Sequence, residues 1–364
     1  MRLYLNVFYS QKNAPNSVVS NIISSSFNDR LLQALQCRNN SRPPVWLMRQ
    51  AGRHLASYRA LREKYSFLDM CHNPELIAEV TLLPIEAYQV DAAILFSDIL
   101  VIPEALKVGV RFEDKVGPII EKPITNLHDI EKLAMPEDLT SLEFVKEGIR
   151  CLQPRLNVPL IGFCGAPFTV ASYMIEGKTS RDFKKIKHWM YHEPQGFHTL
   201  LRKIADWSIA YLNMQIDAGV HALQIFDSWA NTLSYRQFQE FSLNYLKYIL
   251  KGLKKDIPLI LFCRGSSVFG PDLASIKPAA VGLDWNCRVK RMRDVIPYPI
   301  ALQGNLDPDL LYAPLPKIRE EVNALLDEME GDRGFILNLG HGIFPDVSEE
   351  AVRTLVETVR ERRG

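Results

Sequence analysis

The stretch Pro-Leu-Ile-Gly-Phe (Pro159–Phe163) is apolar along its whole length and is followed at once by Cys-Gly-Ala-Pro (Cys164–Pro167). Near-continuous apolarity over so few residues is typical of a strand buried on both faces, as in a parallel sheet. Seven further runs of this kind recur along the chain, each followed by a helical stretch: Val45–Met48, Ala92–Phe96, Ala222–Phe226, Pro258–Phe262, Ala279–Leu283, Pro299–Leu302 and Phe335–Leu339.

The segments between these runs carry apolar residues at helical spacing, most clearly in Pro74–Tyr88, Phe197–Ala218 and Ser348–Arg362. Eight parallel strands joined by helices close a TIM barrel. The sequence therefore predicts an α/β fold, a single (β/α)8 TIM barrel, with an open doubly wound sheet as the alternative. Leu106–Thr125 alternates, turns around Glu113–Lys115 and alternates again, which predicts an inserted β-hairpin after the second barrel strand.

Composition limits the classes of protein to consider. The chain has 364 residues, of which 47% are apolar and 23% charged, which is ordinary globular usage and excludes disordered, collagen and coiled-coil proteins. The formal net charge of +1 gives no basic field for nucleic acid. No apolar run approaches the ~18–20 residues of a membrane helix. We therefore expect no nucleic-acid partner and no membrane.

Two parts of the chain are distinguished. Residues 1–26 are rich in serine and contain no acidic residue, and we expect a disordered N-terminal extension there, with a targeting segment or a mis-assigned start as open alternatives. Residues 27–364 are expected to form the one barrel domain. The six cysteines form no CxxC pair, which favours reduced thiols in a cytoplasmic protein.

The residues that follow the predicted strands face one shared cavity in a barrel. They include arginines, carboxylates, a hydroxyl and one histidine, in the following segments: Arg49-Gln50-Ala51-Gly52-Arg53, Ser97-Asp98, Cys164-Gly165-Ala166-Pro167, Asp227-Ser228-Trp229, Cys263-Arg264-Gly265-Ser266, Asp284-Trp285, Gly304-Asn305 and Gly340-His341-Gly342. Guanidinium groups suit carboxylate or phosphate, so this edge predicts an anion-binding site.

Three kinds of residue at this edge have competing interpretations. Arg49 and Arg53 are four apart and would share a face if a helix begins there, which favours anion binding over a solvated helix face. Asp98 lies between two apolar runs, so it is either functional or the partner of an arginine in a buried ion pair. His341 has glycine on both sides, which allows close approach of a ligand, although a lone histidine is more often structural.

Metal and phosphate sites are not indicated. His188 and His192 are four apart but lack the HExxH pattern and a third ligand. Gly177-Lys178-Thr179 ends like a phosphate loop, but Ser172 stands where that loop requires its first glycine. Cys164 and Cys263 have no histidine or further cysteine nearby to complete a zinc site. We therefore expect no bound metal.

Six ordered motifs together resemble the uroporphyrinogen decarboxylase family, from about Phe27 to about Arg360. They are Pro-Val-Trp-Leu-Met-Arg-Gln-Ala-Gly-Arg (Pro44–Arg53), Phe-Ser-Asp-Ile-Leu (Phe96–Leu100), Gly-Ala-Pro-Phe-Thr (Gly165–Thr169), Gly-Leu-Asp-Trp (Gly282–Trp285), Gln-Gly-Asn-Leu-Asp-Pro (Gln303–Pro308) and Leu-Gly-His-Gly-Ile (Leu339–Ile343).

The resemblance implies a single TIM barrel, usually a homodimer, with neither a metal nor an organic cofactor. It implies that Asp98, Arg49 and Arg53 are the catalytic residues, with Asp98 hydrogen-bonded to pyrrole N–H groups and the arginines against substrate carboxylates. It further implies a substrate-binding set that the chain matches position by position: Arg49, Gln50, Ala51, Gly52, Arg53, Asp98, Tyr173, Ser228 and His341.

The chemistry implied is removal of four acetate carboxyl groups from uroporphyrinogen III, a cyclic tetrapyrrole with eight carboxylates. Protonation of a pyrrole ring carbon creates the electron sink for each loss of CO2, and a fixed carboxylate stabilises the resulting cation. Arginines position each acid group. The proton donor is left open between Arg49 and a bound water.

This chain departs from the family pattern at three places. His54 stands where tyrosine is usual, Cys263–Ser267 replaces a lysine- and glycine-rich turn, and Arg288 stands where an acid is commoner. Two other classes were compared with this interpretation. A zinc-dependent corrinoid methyltransferase would share the wider fold but lacks its thiolate and histidine ligands here, and a tetrapyrrole carrier would have no need of Asp98.

Overall fold

A computed structural model describes residues 27–113, 117–254 and 257–362. The N-terminal extension expected at residues 1–26 lies outside the described residues. Within them, nine strands form a seven-stranded parallel sheet and a separate antiparallel pair. The strands are β1 (Ala93–Ile94), β2 (Val110–Glu113), β3 (Gly117–Ile120), β4 (Leu160–Gly165), β5 (Ala222–Asp227), β6 (Leu259–Cys263), β7 (Ala280–Gly282), β8 (Ala301–Leu306) and β9 (Phe335–Leu339).

The large sheet is all parallel and runs in the order β1, β4, β5, β6, β7, β8, β9. Its two ends meet through Val45, which forms a parallel bridge with Leu337 of β9. The Leu337 N–H donates to the Pro44 carbonyl at 2.9 Å, and the Asp91 N–H donates to the Val45 carbonyl at 2.8 Å. The segment around Val45 therefore occupies the eighth position, and the fold is TIM-barrel-like with one irregular position.

The predicted strand Val45–Met48 is thus wrong as a regular strand, because side chains take the backbone donors that a ladder would use. The Val45 N–H donates to the Asp91 carboxylate at 2.9 Å, the Leu47 N–H to the Gln50 side chain at 3.1 Å and the Met48 N–H to Asn338 at 3.2 Å. The preceding prolines have no N–H to offer.

Helices cover the outside of the sheet and its carboxyl edge. They are α1 (Arg30–Leu35), α2 (Ala56–Arg62), α3 (Phe67–His72), α4 (Pro74–Tyr88), α5 (Val101–Ala105), α6 (Leu127–Glu131), α7 (Glu143–Leu152), α8 (Pro167–Glu176), α9 (Lys184–His192), α10 (Pro194–Ala218), α11 (Tyr235–Phe238), α12 (Asn244–Gly252), α13 (Ser266–Ser275), α14 (Val289–Val295), α15 (Leu315–Glu328) and α16 (Glu349–Glu361). Short 3₁₀ turns at Thr140–Leu142, Gln153–Arg155, Ala230–Thr232 and Pro308–Tyr312 and a π turn at Gln239–Leu243 complete the set.

The predicted alternating segment after the second barrel strand contains β2 and β3. They pair antiparallel, with Val110 opposite Ile120 and Glu113 opposite Gly117. The residues that connect them, 114–116, lie outside the described part of the chain. The pair packs on the segment that ends α8, since the Ile120 N–H donates to the Gly177 carbonyl at 2.8 Å.

Two apolar clusters hold the fold together. One fills the inside of the sheet and includes Trp46, Met48, Ile161, Ile260 and Ile336, all at most 4% exposed. The other lies between the sheet and its outer helices. In the described ranges, no helix combines the length and apolarity that crossing a bilayer requires. The cavity described next opens above the inner cluster.

Candidate active site

A cavity of about 450 Å³ opens at the carboxyl ends of the parallel strands. Its floor is aromatic: Phe163, Phe226 and Phe262 come from β4, β5 and β6 and meet edge to face, with ring centroids 5.6 and 6.1 Å apart. Such edge-to-face packing presents an apolar, shape-defined surface. The floor therefore offers an apolar surface to a ligand, while the polar groups lie around it.

Arg49 and Arg53 both line this cavity. Their spacing of four residues suggested a shared helix face, but they do not lie on a helix. The segment from Arg49 to Leu55 is a series of turns, and α2 begins only at Ala56. Arg49 itself has a φ of 63°. A non-glycine residue in this left-handed region costs ~1 kcal/mol or more and is retained where the surroundings dictate it.

The surroundings of Arg49 include Gly342, from the predicted Gly-His-Gly segment. A Cβ atom at Gly342 would lie 2.4 Å from Cδ and 2.7 Å from Cγ of Arg49. The guanidinium stem therefore passes directly over this glycine. The described residues provide no hydrogen bond or ion pair to the Arg49 guanidinium, which leaves it available to an anion.

Asp98 follows β1 and lines the same cavity. Its Oδ1 accepts the Leu100 N–H at 2.8 Å, and its Oδ2 has no hydrogen-bond partner within the described ranges. Burial raises the pKa of Asp98 to about 6, while the Leu100 N–H and the charge of Arg49 act to lower it. No salt bridge to Asp98 forms among the described residues, so the ion-pair alternative does not describe this carboxylate.

His341 lies beside Arg49 at the rim and contacts the floor through Phe262, with ring centroids 6.0 Å apart. Burial, together with the charges of Arg49 and Arg264, lowers the pKa of His341 to about 3. The imidazole is therefore neutral at physiological pH and can donate one hydrogen bond and accept another.

Tyr173, Ser228 and Ser97 add hydroxyl groups to the cavity lining. Tyr173 is in α8, which begins at Pro167 and ends at Glu176, and the following Gly177, with a φ of 84°, stops the helix. Burial raises the pKa of Tyr173, so its hydroxyl stays protonated. Ser228 directly follows β5. The preceding Asp227 is fully buried and accepts hydrogen bonds from Thr169 at 2.5 Å and Ser242 at 2.6 Å, so it fixes the start of α8 rather than facing the cavity.

Of the predicted substrate-binding residues, Gln50 alone is not part of the cavity lining. Its side chain is fully buried, accepts the Leu47 N–H at 3.1 Å and donates to the Ala92 carbonyl at 3.1 Å. Gln50 thereby helps to close the barrel at its irregular position. Ala51 and Gly52 do line the cavity.

The sequence reasoning did not identify the aromatic floor, although a signal was present. Three consecutive predicted strands, beginning with Pro159–Phe163, end in phenylalanine. It also missed Phe112 and Pro118, which reach the cavity from the antiparallel pair β2–β3, and Tyr58 and Phe67 from α2 and α3. Only tertiary packing brings these distant elements to the cavity.

The residues that depart from the family pattern lie at different distances from the cavity. His54 is 2% exposed, lines the cavity and stacks on Tyr88. Arg264 is close enough to His341 to affect its pKa. Arg288 is exposed and pairs with Glu328 at 3.3 Å, away from the cavity.

The histidines and cysteines considered as metal ligands do not come together as a metal site in the described part of the chain. The rings of His188 and His192 stack at 4.0 Å on the exposed face of α9. Cys164 and Cys263 are buried separate thiols. Over the described ranges, no three His, Cys, Asp or Glu side chains cluster closely enough to hold a metal ion.

Comparison with known proteins gives consistent matches over nearly the whole chain. Residues 26–362 match the uroporphyrinogen decarboxylase (URO-D) family. The chain is 45% identical over 342 residues to uroporphyrinogen decarboxylase of Hydrogenovibrio crunogenus, covering 92% of this chain and 97% of that protein. It is 46% identical over 343 residues to uroporphyrinogen decarboxylase of Pseudomonas aeruginosa, with the same coverage.

Among solved structures, a methyltransferase from Methanosarcina mazei superposes with a TM-score of 0.79 at 24% identity, covering 92% of this chain and 98% of that one. A B12-independent methionine synthase from Shewanella superposes with a TM-score of 0.51 at 11% identity, covering 79% and 85%. At these identities the likeness shows the barrel fold alone.

Proposed function

The chain belongs to the uroporphyrinogen decarboxylase family, and we propose that it removes the four acetate carboxyl groups of uroporphyrinogen III in heme biosynthesis. The products are coproporphyrinogen III and four CO2. The protein is accordingly a carboxy-lyase acting on a small-molecule substrate. The chain's own residues support this activity as follows.

The observation that carries the proposal is the placement of Asp98. Its Oδ1 is held by the Leu100 N–H, its Oδ2 has no protein partner within the described ranges, and the phenylalanine floor adjoins it. With its pKa raised by burial to about 6, the carboxyl group is mostly ionised at neutral pH. An ionised carboxylate can accept several pyrrole N–H groups at once, which centres a tetrapyrrole in the cavity.

The same carboxylate supports the chemical step. Protonation of a pyrrole ring carbon places positive charge on the ring, and the C–C bond to the acetate carboxylate then breaks. CO2 leaves, and its bonding electrons neutralise the ring cation. Asp98 stabilises that cation from a fixed position inside the protein, where no solvent reorganisation is needed. Protonation of the exocyclic carbon then gives the methyl group, and loss of the first proton from the ring carbon restores the pyrrole.

We assign the remaining polar groups by their positions. Arg49 and Arg53 bind substrate carboxylates, because guanidinium groups form paired hydrogen bonds with them. Tyr173, Ser228 and neutral His341 hydrogen-bond to the bound acid groups and ring. Because His341 carries no imidazolium proton at neutral pH, Arg49 and a bound water are the candidates for the proton donor.

Residues 27–364 form one catalytic domain in this proposal, which acts without metal or organic cofactor as a cytoplasmic homodimer. Six cysteines without a CxxC pair support the reducing compartment. Light scattering should give twice the 41.5 kDa chain mass. A monomer mass at micromolar concentration would contradict the homodimer and leave the activity unaffected.

The activity is tested by incubating the purified chain with uroporphyrinogen III without oxygen and separating the oxidised products by carboxylate number. We expect the eight-carboxylate substrate to be replaced by the four-carboxylate product, with stoichiometric CO2. A folded chain that binds uroporphyrinogen and releases no CO2 would contradict the proposal and favour a tetrapyrrole carrier.

A further inference from the structure

The cations assigned so far occupy one side of the cavity. Arg49 and Arg53 follow Val45, which occupies the barrel position between β9 and β1. If Val45 is the first of the eight barrel positions, then β1, β4 and β5 are the second to fourth and β6 is the fifth. The fifth of eight positions lies across the barrel from the first. A substrate with eight carboxylates distributed around its ring needs cations on that side as well.

Arg264 directly follows β6 on this opposite side. Its side chain is half-buried, and the described residues offer its guanidinium neither an ion pair nor a hydrogen bond. The guanidinium carbon lies 5.8 Å from the Trp285 ring. A half-buried charge without a counter-charge is unfavourable and is retained where a ligand supplies one.

The neighbours of Arg264 connect it to the cavity. Phe262, two residues before it, forms part of the floor, and Trp285 lies 6.5 Å from the His341 ring, which lines the rim. The backbone of Trp285 packs closely against the loop after β9, because a Cβ at Gly340 would lie only 2.5 Å from the Trp285 nitrogen. Arg264 and Trp285 are not themselves part of the cavity lining, but they adjoin Phe262 and His341, which are.

We propose that Arg264 is a third carboxylate-binding guanidinium, which holds a propionate of the tetrapyrrole across the cavity from Arg49 and Arg53. The assignment rests on the proposed function. The reacting acetate must lie near Asp98 and Arg49, and each of the other rings carries one acetate and one propionate. A propionate is chosen for the far side because it is the carboxylate that is present there in every one of the four turnovers. Propionates remain through all four decarboxylations, so Arg264 binds substrate and product alike.

The test compares Arg264→Gln, Arg264→Met and Arg264→Lys with the wild type. Loss of one charged hydrogen-bonding group should raise the KM for uroporphyrinogen and the inhibition constant of coproporphyrinogen by about 10–30-fold in both neutral variants. The kcat should stay within about threefold. Arg264→Lys should recover most of the affinity, and exposed Arg288→Gln is the matched control, which should behave as wild type.

The outcomes separate this inference from the proposed function. If wild-type protein gives no coproporphyrinogen, the proposed function fails. If the wild type is active and a folded neutral variant keeps both constants within about twofold, Arg264 does not bind substrate. If KM rises but product inhibition does not, the propionate assignment is wrong. Thermal unfolding identifies any variant that fails to fold, and the other neutral variant then decides.

Discussion

The ionised Asp98 carboxylate lowers the stability of the folded protein, because burial disfavours its charge. Asp98→Asn keeps the shape and the acceptor for the Leu100 N–H but removes the charge that stabilises the ring cation. We therefore expect kcat to fall by about 10²–10³, as for loss of one preorganised charged group. Steady-state kinetics with uroporphyrinogen measures this.

Folding provides the control for this variant. Because the folded pKa of Asp98 lies above its ordinary value, the ionised group lowers stability at pH 7.5, so Asp98→Asn should keep or raise the free energy of unfolding, by up to ~3 kcal/mol. A folded Asp98→Asn protein that turns over within about threefold of wild type would show that the carboxylate is not catalytic.

We expect Asp98 also to determine how kcat/KM depends on pH. Protonation of Asp98 removes its charge, so kcat/KM should fall as the pH decreases through about 6. His341, with a pKa of about 3, adds no step above pH 4. The kcat/KM of wild type and of Asp98→Asn is measured from pH 5 to 8. If the residual activity of the variant keeps the same acidic step, another group, such as buried Asp227, controls it.

At the residue scale, the sequence identified the charged groups but not their geometry. Asp98 and Arg49 could be predicted because each lies within two residues of the end of an apolar run. The side chain of Gln50 lies outside the cavity lining, and nothing in its sequence position shows that its amide replaces ladder hydrogen bonds. The half-buried state of Arg264 likewise depends on Trp285, which is distant in sequence.

At the scale of elements, the loop after β9 positions the arginine of another loop. Gly342→Ala would place a Cβ 2.4 Å from Cδ of Arg49, which is closer than two carbon atoms can approach. We expect the Arg49 guanidinium to shift and kcat/KM to fall by about 10-fold or more, because small misplacements of positioning groups are costly. Circular dichroism and kinetics of the purified variant measure the effect.

Gly331→Ala is the matched glycine control. Gly331 has a φ of 78° and no atom near its added Cβ, so this variant should lose stability through backbone strain while its KM is unchanged. Equal kinetics for Gly342→Ala and wild type would contradict the contact between Gly342 and Arg49.

Helices and strands could be predicted where their pattern is local. Pro74–Tyr88 and Phe335–Leu339 occur with the predicted bounds, and the apolar strands from Pro159 to Phe262 differ by one or two residues at their ends. Val45–Met48 failed because Asp91 and Asn338, distant in sequence, take its N–H groups. Apolarity indicated burial there but could not indicate hydrogen bonding.

At the scale of the whole molecule, one buried acid closes the barrel. Asp91 is 1% exposed and accepts from Arg42 at 2.6 Å, Arg30 at 3.1 Å and the Val45 N–H at 2.9 Å. Asp91→Ala would leave Arg42 without its counter-charge, and we expect ~3–5 kcal/mol of lost stability. Chemical denaturation measures this. The exposed pair Asp217–Lys254 is the control, since Asp217→Ala should cost less than ~1 kcal/mol.

The pH dependence of stability follows from the same group. Burial acts to raise the pKa of Asp91, but the Arg42 guanidinium and the N–H groups around it hold that pKa below its ordinary value. The stabilisation is therefore present above pH ~4 and is lost as the pH falls through the folded pKa. Equal acid sensitivity of wild type and Asp91→Ala would contradict this assignment.

The overall architecture followed from the repetition of strand and helix, which is a property of the chain as a whole. The barrel prediction is confirmed as a TIM-barrel-like fold, with seven regular strands and one irregular position in the described residues. The cavity could be placed at the correct edge because parallel strands end together. The walls that β2, β3, α2 and α3 contribute to the cavity could not be predicted from the sequence.

The closure through Val45 also determines where the barrel opens in thermal fluctuations. Two backbone hydrogen bonds join Val45 and Pro44 to the adjacent chain, whereas β5 and β6 share a five-residue register. Local openings begin where backbone pairing is shortest. In hydrogen–deuterium exchange, the amides of Asp91 and Leu337 should therefore exchange before those of β5 and β6. Since Arg49 follows four residues after Val45, a polycarboxylate ligand held by Arg49 should slow exchange along this junction.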